Sequence, residues 1–414
     1  MRISLWTAAC LLQIGLTSPL QAQDLPRVFV TSSTGSGNLN TWPLADGLTG
    51  LQAADRICQN SASLAHIANP WQYIAWISSS QDDAYCRVHG LHGKRVNSCN
   101  TSQTLGDAGP WYRMDDLPAI DIAQNSMVLY PDAGYVPRAI EFDEFGFPFL
   151  PDNPLSSIYF TATIENGVLE NPTYTCADWT SADPTNEVEF GEAYLAYGGW
   201  SGDAGGWTCD QNMHLACLEA GSHGPALPRG PARFGRMAFV TSSTGTGDLS
   251  SWPDSGGATS VAAGDAICRA HARRAHLPLP DTYKAWLSSS AGNAISAFTY
   301  DGPWYRTDGA QIAASIADLT KGTIEVPLQL DESANPMDFQ LVFTGTSRFG
   351  TLGRASCSDW QNGTNSDVGT DGWLIAADSR WTSLDGSDEA ACGQPANLYC
   401  FADNDALFVD GFDN

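Results

Sequence analysis

Basic side chains are scarce in this sequence. Lysine and arginine together number 20 among 414 residues, against 46 aspartates and glutamates, and the formal net charge is −26. A surface of this sign repels the phosphates of nucleic acids and the headgroups of anionic lipids. Nucleic acid is therefore not expected as a partner.

Long apolar runs are missing after the first 22 residues. In that segment a single charge, Arg2, precedes an apolar stretch from Ile3 to Leu16 and the small residue Ala22. This order is typical of a signal peptide, although an uncleaved anchor is the alternative. The stretch is shorter than the roughly 20 residues of a membrane-spanning helix. We therefore predict a signal peptide at 1–22, no transmembrane segment, and a secreted or cell-surface protein.

Catalytic motifs are also missing. The sequence contains neither an H-E-x-x-H zinc motif nor a serine-centred elbow, and only His89 and His92 lie close together among its seven histidines. The sequence predicts a protein that is not an enzyme.

An internal repeat is the strongest positive feature. Residues 27–42, which include the letters V-T-S-S-T-G-S-G, return at 236–252 as V-T-S-S-T-G-T-G. Further motifs recur in the same order, among them A-W-I-S-S-S at 75–80 and A-W-L-S-S-S at 285–290. Self-similarity at this spacing indicates two copies of one structural unit.

The copies differ in length, and this sets the expected boundaries. We predict domain 1 at 23–218, a Gly/Pro-rich linker at 219–235, domain 2 at 236–401 and an acidic C-terminal tail at 402–414. Domain 1 carries two polar loop insertions, near 81–105 and 130–155. Apolar spacing predicts helices at 260–276 and 310–319, and short strands fill the remainder. The fold class is therefore α+β, with early helices and short antiparallel strands.

Ten cysteines remain once Cys10 is removed with the signal peptide. An even number in an exported chain indicates disulfides. Four positions are shared between the copies, so each copy allows three pairings, and Cys86 and Cys99 fall together in the first insertion. A zinc site formed by these two cysteines with His89 and His92 is the alternative there.

The motif order resembles the endostatin-like branch of the C-type-lectin-like fold, and a poorly characterised family of bacterial secreted proteins. The stretch T-Y-K-A-W-L-S-S at 282–289 is similar to one that follows the first helix in that branch, and C-S-D-W at 357–360 and L-Y-C at 398–400 follow in the expected order. The likeness covers nearly all of both copies.

The resemblance implies a disulfide pairing. The first cysteine of each copy would pair with the last, and the middle two with each other. The expected disulfides are Cys58–Cys217, Cys176–Cys209, Cys268–Cys400 and Cys357–Cys392, with Cys86–Cys99 as a local link.

The resemblance also raises calcium as a cofactor, because sugar-binding C-type lectins hold that ion. The nearest match to their Glu-Pro-Asn-type loop is Gln394-Pro395-Ala396, which lacks the final amide or acid. The sequence also contains no Trp-Asn-Asp triplet. Acidic loops between the middle cysteines could form a different kind of cation site, with a hydrated loop surface as the alternative. The possible calcium ligands are Asp367, Asp371, Asp385 and Asp388.

Aromatic side chains are a second means of sugar binding, because sugar rings stack on them. Trp111 and Tyr112, and equally Trp304 and Tyr305, follow Gly-Pro turns and are the candidate stacking residues, with burial in the core as the alternative.

The C-terminal tail D-A-L-F-V-D-G-F-D at 405–413 resembles a short closing motif on exported proteins of some Gram-negative bacteria. The sequence therefore predicts a non-enzymatic extracellular binding or adhesion protein, and the tail implies export by a Gram-negative bacterium. Its two lectin-like modules would recognise carbohydrate or a matrix or surface protein. The alternatives are a secreted enzyme or modifying factor on the same scaffold, and a structural envelope protein without a small ligand.

Overall fold

The computed structural model describes residues 25–105, 108–120, 138–149, 154–164, 166–202, 207–221, 236–337, 339–384 and 389–403. The predicted signal peptide at 1–22 lies outside these ranges, as do most of the linker and of the acidic tail. We call residues 25–221 repeat one and residues 236–403 repeat two.

Repeat one contains short strands and one long helix. Helix α1 spans Gly50–Leu64 and the short helix α2 spans Ala84–Val88. The strands are β1 (Val28–Val30), β2 (Tyr73–Ala75), β3 (Trp111–Tyr112), β4 (Pro118–Ile120), β5 (Ile158–Phe160), β6 (Glu187–Val188), β7 (Phe190–Glu192), β8 (Trp207–Thr208) and β9 (His214–Glu219).

Repeat two has the same plan. Helix α3 spans Ser260–Arg274 and the short helix α4 spans Ala294–Ala297. The strands are β10 (Arg236–Val240), β11 (Tyr283–Ala285), β12 (Trp304–Arg306), β13 (Gln311–Ala313), β14 (Leu341–Phe343), β15 (Val368–Gly369), β16 (Asp371–Trp373), β17 (Ala390–Ala391) and β18 (Tyr399–Ala402).

Each repeat is built around its last long strand. Strand β9 pairs antiparallel with β1 and β2, and β18 pairs antiparallel with β10 and β11. The larger sheets run β1-β9-β5-β7, with β2 beside β9, and β11-β18-β10-β12-β13. The mixed α+β class is confirmed, but the sheets are not purely antiparallel, because β5 runs parallel to β9 and β12 parallel to β10.

One helix prediction is confirmed and the other is wrong. Helix α3 occupies Ser260–Arg274, within the predicted 260–276. The expected helix at 310–319 is instead strand β13 followed by a single turn of 3-10 helix. Gly309 turns the chain there with φ +89°, and Arg306 N–H bonds the Ala310 carbonyl at 2.7 Å. This tight turn folds β13 back onto β12, so apolar residues that suggested a helical period bury one face of a hairpin.

There are five disulfides in the described structure, and each joins two cysteines of the same repeat. They join Cys58–Cys217, Cys176–Cys209, Cys268–Cys400, Cys357–Cys392 and Cys86–Cys99. The first four are the pairs that the resemblance implied, and Cys86–Cys99 is the local link expected from its position in the first insertion. The two long-range links tie α1 to β9 and α3 to β18. Because Cys86 and Cys99 are bonded to each other, they do not act as zinc ligands.

The predicted domain edges shift slightly. Strand β9 continues to Glu219, so the start of the expected linker belongs to the first sheet. At the other end, β18 continues to Ala402. Asp403 accepts hydrogen bonds from the N–H groups of Thr299 and Tyr300, both at 2.8 Å. Asp403 therefore still bonds to repeat two, one residue beyond the end of β18. No helix in the described part of the chain is long and apolar enough to cross a membrane.

The repeats contact each other through matching positions. Leu195 of repeat one bridges Ala376 of repeat two in antiparallel fashion. The N–H of Ala196 donates to the Ile375 carbonyl at 3.0 Å, and the N–H of Ala377 donates to the Tyr194 carbonyl at 3.1 Å. Leu195 and Ala376 follow Cys176 and Cys357 at the same distance, so each repeat offers the same segment to the other. Leu195 and Ala139 also pack into the core of repeat two.

Candidate functional sites

The predicted stacking residues lie mostly inside the protein. Trp111, Tyr112 and Trp304 are at most 1% exposed, and Tyr305 is half-buried. The indole N–H of Trp111 donates to the Glu219 carbonyl at 2.8 Å, and that of Trp304 donates to the Ala402 carbonyl at 2.9 Å. These contacts anchor the first strand of each hairpin to the last strand of the repeat. The stacking prediction is therefore wrong for Trp111, Tyr112 and Trp304, which have no ring face exposed for a sugar.

Of the four predicted calcium ligands, two lie in the described residues. Asp367 accepts hydrogen bonds from Ser358 Oγ at 2.7 Å and from the Asn362 side chain at 3.2 Å. Asp371 is buried, and one of its oxygens accepts from the N–H of Ala390 at 2.9 Å. Asp385 and Asp388 lie outside the described residues. Within the described ranges no three His, Cys, Asp or Glu side chains form a group suited to a metal ion.

Repeat one presents an aromatic surface that the sequence did not single out. Trp71 is 64% exposed in a turn at the start of β2, and the guanidinium of Arg56 lies 5.9 Å from its ring centroid. Arg56 is held by Asp46 at 3.0 Å and by Gln59 at 3.2 Å. Hydrogen bonds from Asn60 and Arg56 lower the pKa of Asp46, so its carboxylate is ionised at neutral pH. We call Trp71, Arg56 and Asp46 the Trp71 platform.

The Trp71 platform is absent from repeat two. The register of the repeats places Asp281 at the position of Trp71, Ala266 at that of Arg56 and Gly256 at that of Asp46. Asp281 instead forms an exposed ion pair with Arg273. A signal in the sequence could have found the site, because an aromatic residue stands in one copy where the other has an acid.

Repeat two holds a different polar cluster, formed by Ser243, His271 and Glu332, which we call the polar triad. His271, on α3, is fully buried, and its Nε2 lies 2.9 Å from Ser243 Oγ. Its Nδ1 lies 2.7 Å from Glu332 Oε1. Ser242 also donates its N–H to Glu332 Oε2 at 3.0 Å and its hydroxyl to Oε1 at 2.5 Å. Three segments distant in sequence thus meet at one histidine.

Electrostatics keep Glu332 ionised. Burial alone would raise its pKa, but the hydrogen bonds from His271 and Ser242 outweigh burial and lower the pKa to about 2. A second carboxylate, Asp254, lies 3.6 Å from His271 Nε2 and is itself bonded to Arg274 at 2.6 Å. The imidazole therefore lies between two carboxylates.

Repeat one has equivalents of Ser243 and Glu332, which are Ser33 and Glu144, but it lacks the histidine. Ser32 and Glu144 repeat the serine–glutamate contact, with the Ser32 N–H 2.7 Å from a carboxylate oxygen. Ser61 occupies the position of His271, and Ser33 that of Ser243. Both hydroxyl groups are buried without a hydrogen-bond partner in the described structure. The chain thus contains its own version of the site without the histidine.

No known protein-family model matches this chain, and no curated protein matches it either.

A cluster of buried charges lies where the repeats meet. Arg380 of repeat two donates to Glu192 of repeat one at 2.6 Å and to Asp378 at 2.9 Å. Arg113 of repeat one lies 2.8 Å from Glu141 and 3.7 Å from Glu325 of repeat two. All of these side chains except Glu325 are no more than 13% exposed, so the ion pairs are shielded from solvent.

Glu141 makes this region sensitive to pH. Burial raises its pKa to about 7 although Arg113 opposes the shift. An acid whose folded-state pKa is raised binds its proton more tightly when folded, so the free energy of unfolding falls as pH rises from about 4.5 to about 7. The difference between the two pKa values corresponds to roughly 3 kcal/mol.

We expect Glu141→Gln to flatten this dependence, because glutamine does not titrate. The change copies repeat two, which has the buried residue Gln329 at the same position. Urea titrations between pH 5 and 8 measure the effect. Glu170→Gln, at a position outside the charge cluster, is the control and should leave the slope as in the parent protein. An unchanged slope in Glu141→Gln would assign the pH dependence to another group.

Proposed function

We propose that this is an exported binding protein that recognises carbohydrate, or a glycosylated surface or matrix protein, through the Trp71 platform of repeat one. The observation that carries the proposal is the 64% exposure of Trp71 beside a fixed guanidinium and a carboxylate. An indole face stacks on the apolar face of a sugar ring, while neighbouring charged groups bond its hydroxyls. Tryptophan and arginine are also the residues that most often dominate binding surfaces.

The internal hydrogen bonds of the platform support this proposal. Arg56 is bonded on one side by Asp46 and on the other by Gln59, so its guanidinium is held in place before a ligand arrives. Asn60 also donates to the Leu44 carbonyl at 2.8 Å, which fixes the turn before α1. A preformed site loses less conformational entropy on binding. No step of this recognition needs a metal ion.

The five disulfides and the acidic surface fit a protein that works outside the cell. Export, the lectin-like fold and the Gram-negative source are part of the same proposal. Because the repeats contact each other through backbone hydrogen bonds and buried ion pairs, repeat one is presented in one orientation relative to repeat two.

The test is a glycan and matrix-protein array probed with the mature chain, with calcium and with EDTA. We expect Trp71→Ala to weaken any ligand found at least about tenfold, as for a central binding residue. Phe349→Ala removes an aromatic side chain of similar exposure, 59%, from repeat two and should leave the affinity unchanged.

Three outcomes bear on the proposal. The proposal is supported if Trp71→Ala loses affinity for the ligand while Phe349→Ala keeps it. Equal affinity of Trp71→Ala and the parent chain overturns it. Binding that EDTA abolishes would restore the acidic loops around Asp367 and Asp371 as a calcium site.

A further inference from the structure

The polar triad of repeat two fixes the proton on His271. An ionised carboxylate only accepts hydrogen bonds, so Glu332 requires a proton on the Nδ1 that faces it at 2.7 Å. In the neutral imidazole this leaves the lone pair on Nε2. That nitrogen lies 2.9 Å from Ser243 Oγ and is therefore placed to accept the hydroxyl proton.

Ser243 lies at the edge of the protein. It is half-buried, and the next residue, Thr244, is exposed, whereas His271 lies beneath them. The Ser243 carbonyl accepts a hydrogen bond from Thr241 Oγ1 at 2.8 Å, which holds the loop against the sheet. Among the described residues none accepts a hydrogen bond from the N–H of Ser243 or Thr244.

We propose that repeat two carries an acyl-transfer site for carboxylic esters, with Ser243 as the nucleophile and His271 as the general base. A serine hydroxyl bonded to an imidazole that a third group orients is the arrangement required for nucleophilic catalysis. Glu332 is the positioning residue. Asp254 is the second carboxylate beside the imidazole, 3.6 Å from Nε2.

The reaction balances without a cofactor. Ser243 Oγ forms a bond to the ester carbonyl carbon, and its proton passes to His271 Nε2. The carbon–oxygen bond to the alcohol breaks, and the departing oxygen takes that proton. Water then attacks the acyl carbon and loses a proton to Nε2. The bond between that carbon and Ser243 Oγ breaks, Oγ takes the proton back from Nε2, and the carboxylic acid leaves.

Comparison within the chain shows that the fold does not depend on the histidine. Repeat one replaces it by Ser61 and builds the same helix and strands around Ser33 and Glu144. His271→Ser therefore reproduces an arrangement that the chain already contains, and it is the variant of choice for the test.

The first experiment is labelling of the folded, oxidised chain with a fluorophosphonate, followed by peptide mass spectrometry. The reagent transfers its phosphonyl group to an activated serine, as the phosphorus–fluorine bond breaks and fluoride leaves. We expect modification of Ser243 and not of Ser33. His271→Ser should slow labelling by about 100-fold or more, the scale of a lost general base.

Hydrolysis of p-nitrophenyl acetate gives a second readout, in which Ser243→Ala and His271→Ser should both lose the turnover of the parent chain. A melting temperature close to that of the parent shows that each variant is folded. The proposal is overturned if Ser243 stays unmodified in the parent chain, or if His271→Ser reacts at the parent rate. Glycan binding through Trp71 should survive Ser243→Ala, so failure of either proposal is seen separately.

Discussion

Replacing Arg380 by methionine should lower the free energy of unfolding by about 3–5 kcal/mol, the cost of breaking a buried ion pair by removing one partner. Arg380 is 13% exposed and bonds Glu192 across the boundary between the repeats. Its Nε also bonds both oxygens of Asp378, at 3.1 and 2.9 Å. The guanidinium carbon of Arg380 lies 5.4 Å from the Trp373 ring centroid. Methionine replaces this group by an apolar one and leaves two buried carboxylates without their cation.

Urea denaturation measures the loss, and a surface pair supplies the control. Arg273 and Asp281 form an ion pair on side chains that are 55% and 73% exposed. Exposed pairs contribute about 0–1 kcal/mol, so Arg273→Met should have little effect. Equal losses in the two variants would mean that the Arg380 pair contributes no more than a surface contact.

Removing the Cys58–Cys217 disulfide as a pair of alanines should cost about 5 kcal/mol, whereas removing Cys86–Cys99 should cost about 3 kcal/mol. The first link joins residues 159 apart in sequence and the second joins residues 13 apart. In the chain-entropy account the longer loop loses more freedom in the unfolded state, so its closure stabilises the fold more.

The comparison is made by urea denaturation of the two double variants in oxidising buffer. The shorter link serves as the control, because it staples a local insertion of repeat one. Similar losses from both variants would show that packing of the sulfur atoms, and not loop length, decides the contribution. If only the Cys58–Cys217 variant loses its secondary structure, its loss of stability is larger than predicted but in the expected order.

Features that repeat along the chain could be predicted from the sequence. The doubled motifs located both copies, and the helical spacing of Val261, Cys268 and His271 located α3. The helix predicted at 310–319 is wrong, because apolar residues at Ile312 and Leu319 match a helical period as well as a short hairpin. Gly309 alone signals the turn that decides between them.

Contacts between distant segments could not be predicted. Ser243 and His271 are 28 residues apart, and His271 and Glu332 are 61 apart, so no local motif joins them. The burial of the Trp111 and Trp304 side chains could not be predicted either. A strand of two or three residues shows too little alternation of apolar and polar residues to reveal its buried face. Comparing the copies residue by residue would have marked Trp71 and His271, which the other copy replaces by Asp281 and Ser61.

The matched pairing of Leu195 with Ala376 has a consequence for assembly. A surface that binds its own equivalent is self-complementary, which is the geometry of a twofold-symmetric homodimer. Here both subunits of that dimer belong to one polypeptide, so their association is unimolecular and does not weaken on dilution. Each repeat can also acquire substitutions that the other repeat does not share. The chain therefore behaves as a heterodimer encoded by a single gene, with the tryptophan surface on one subunit and the serine–histidine pair on the other.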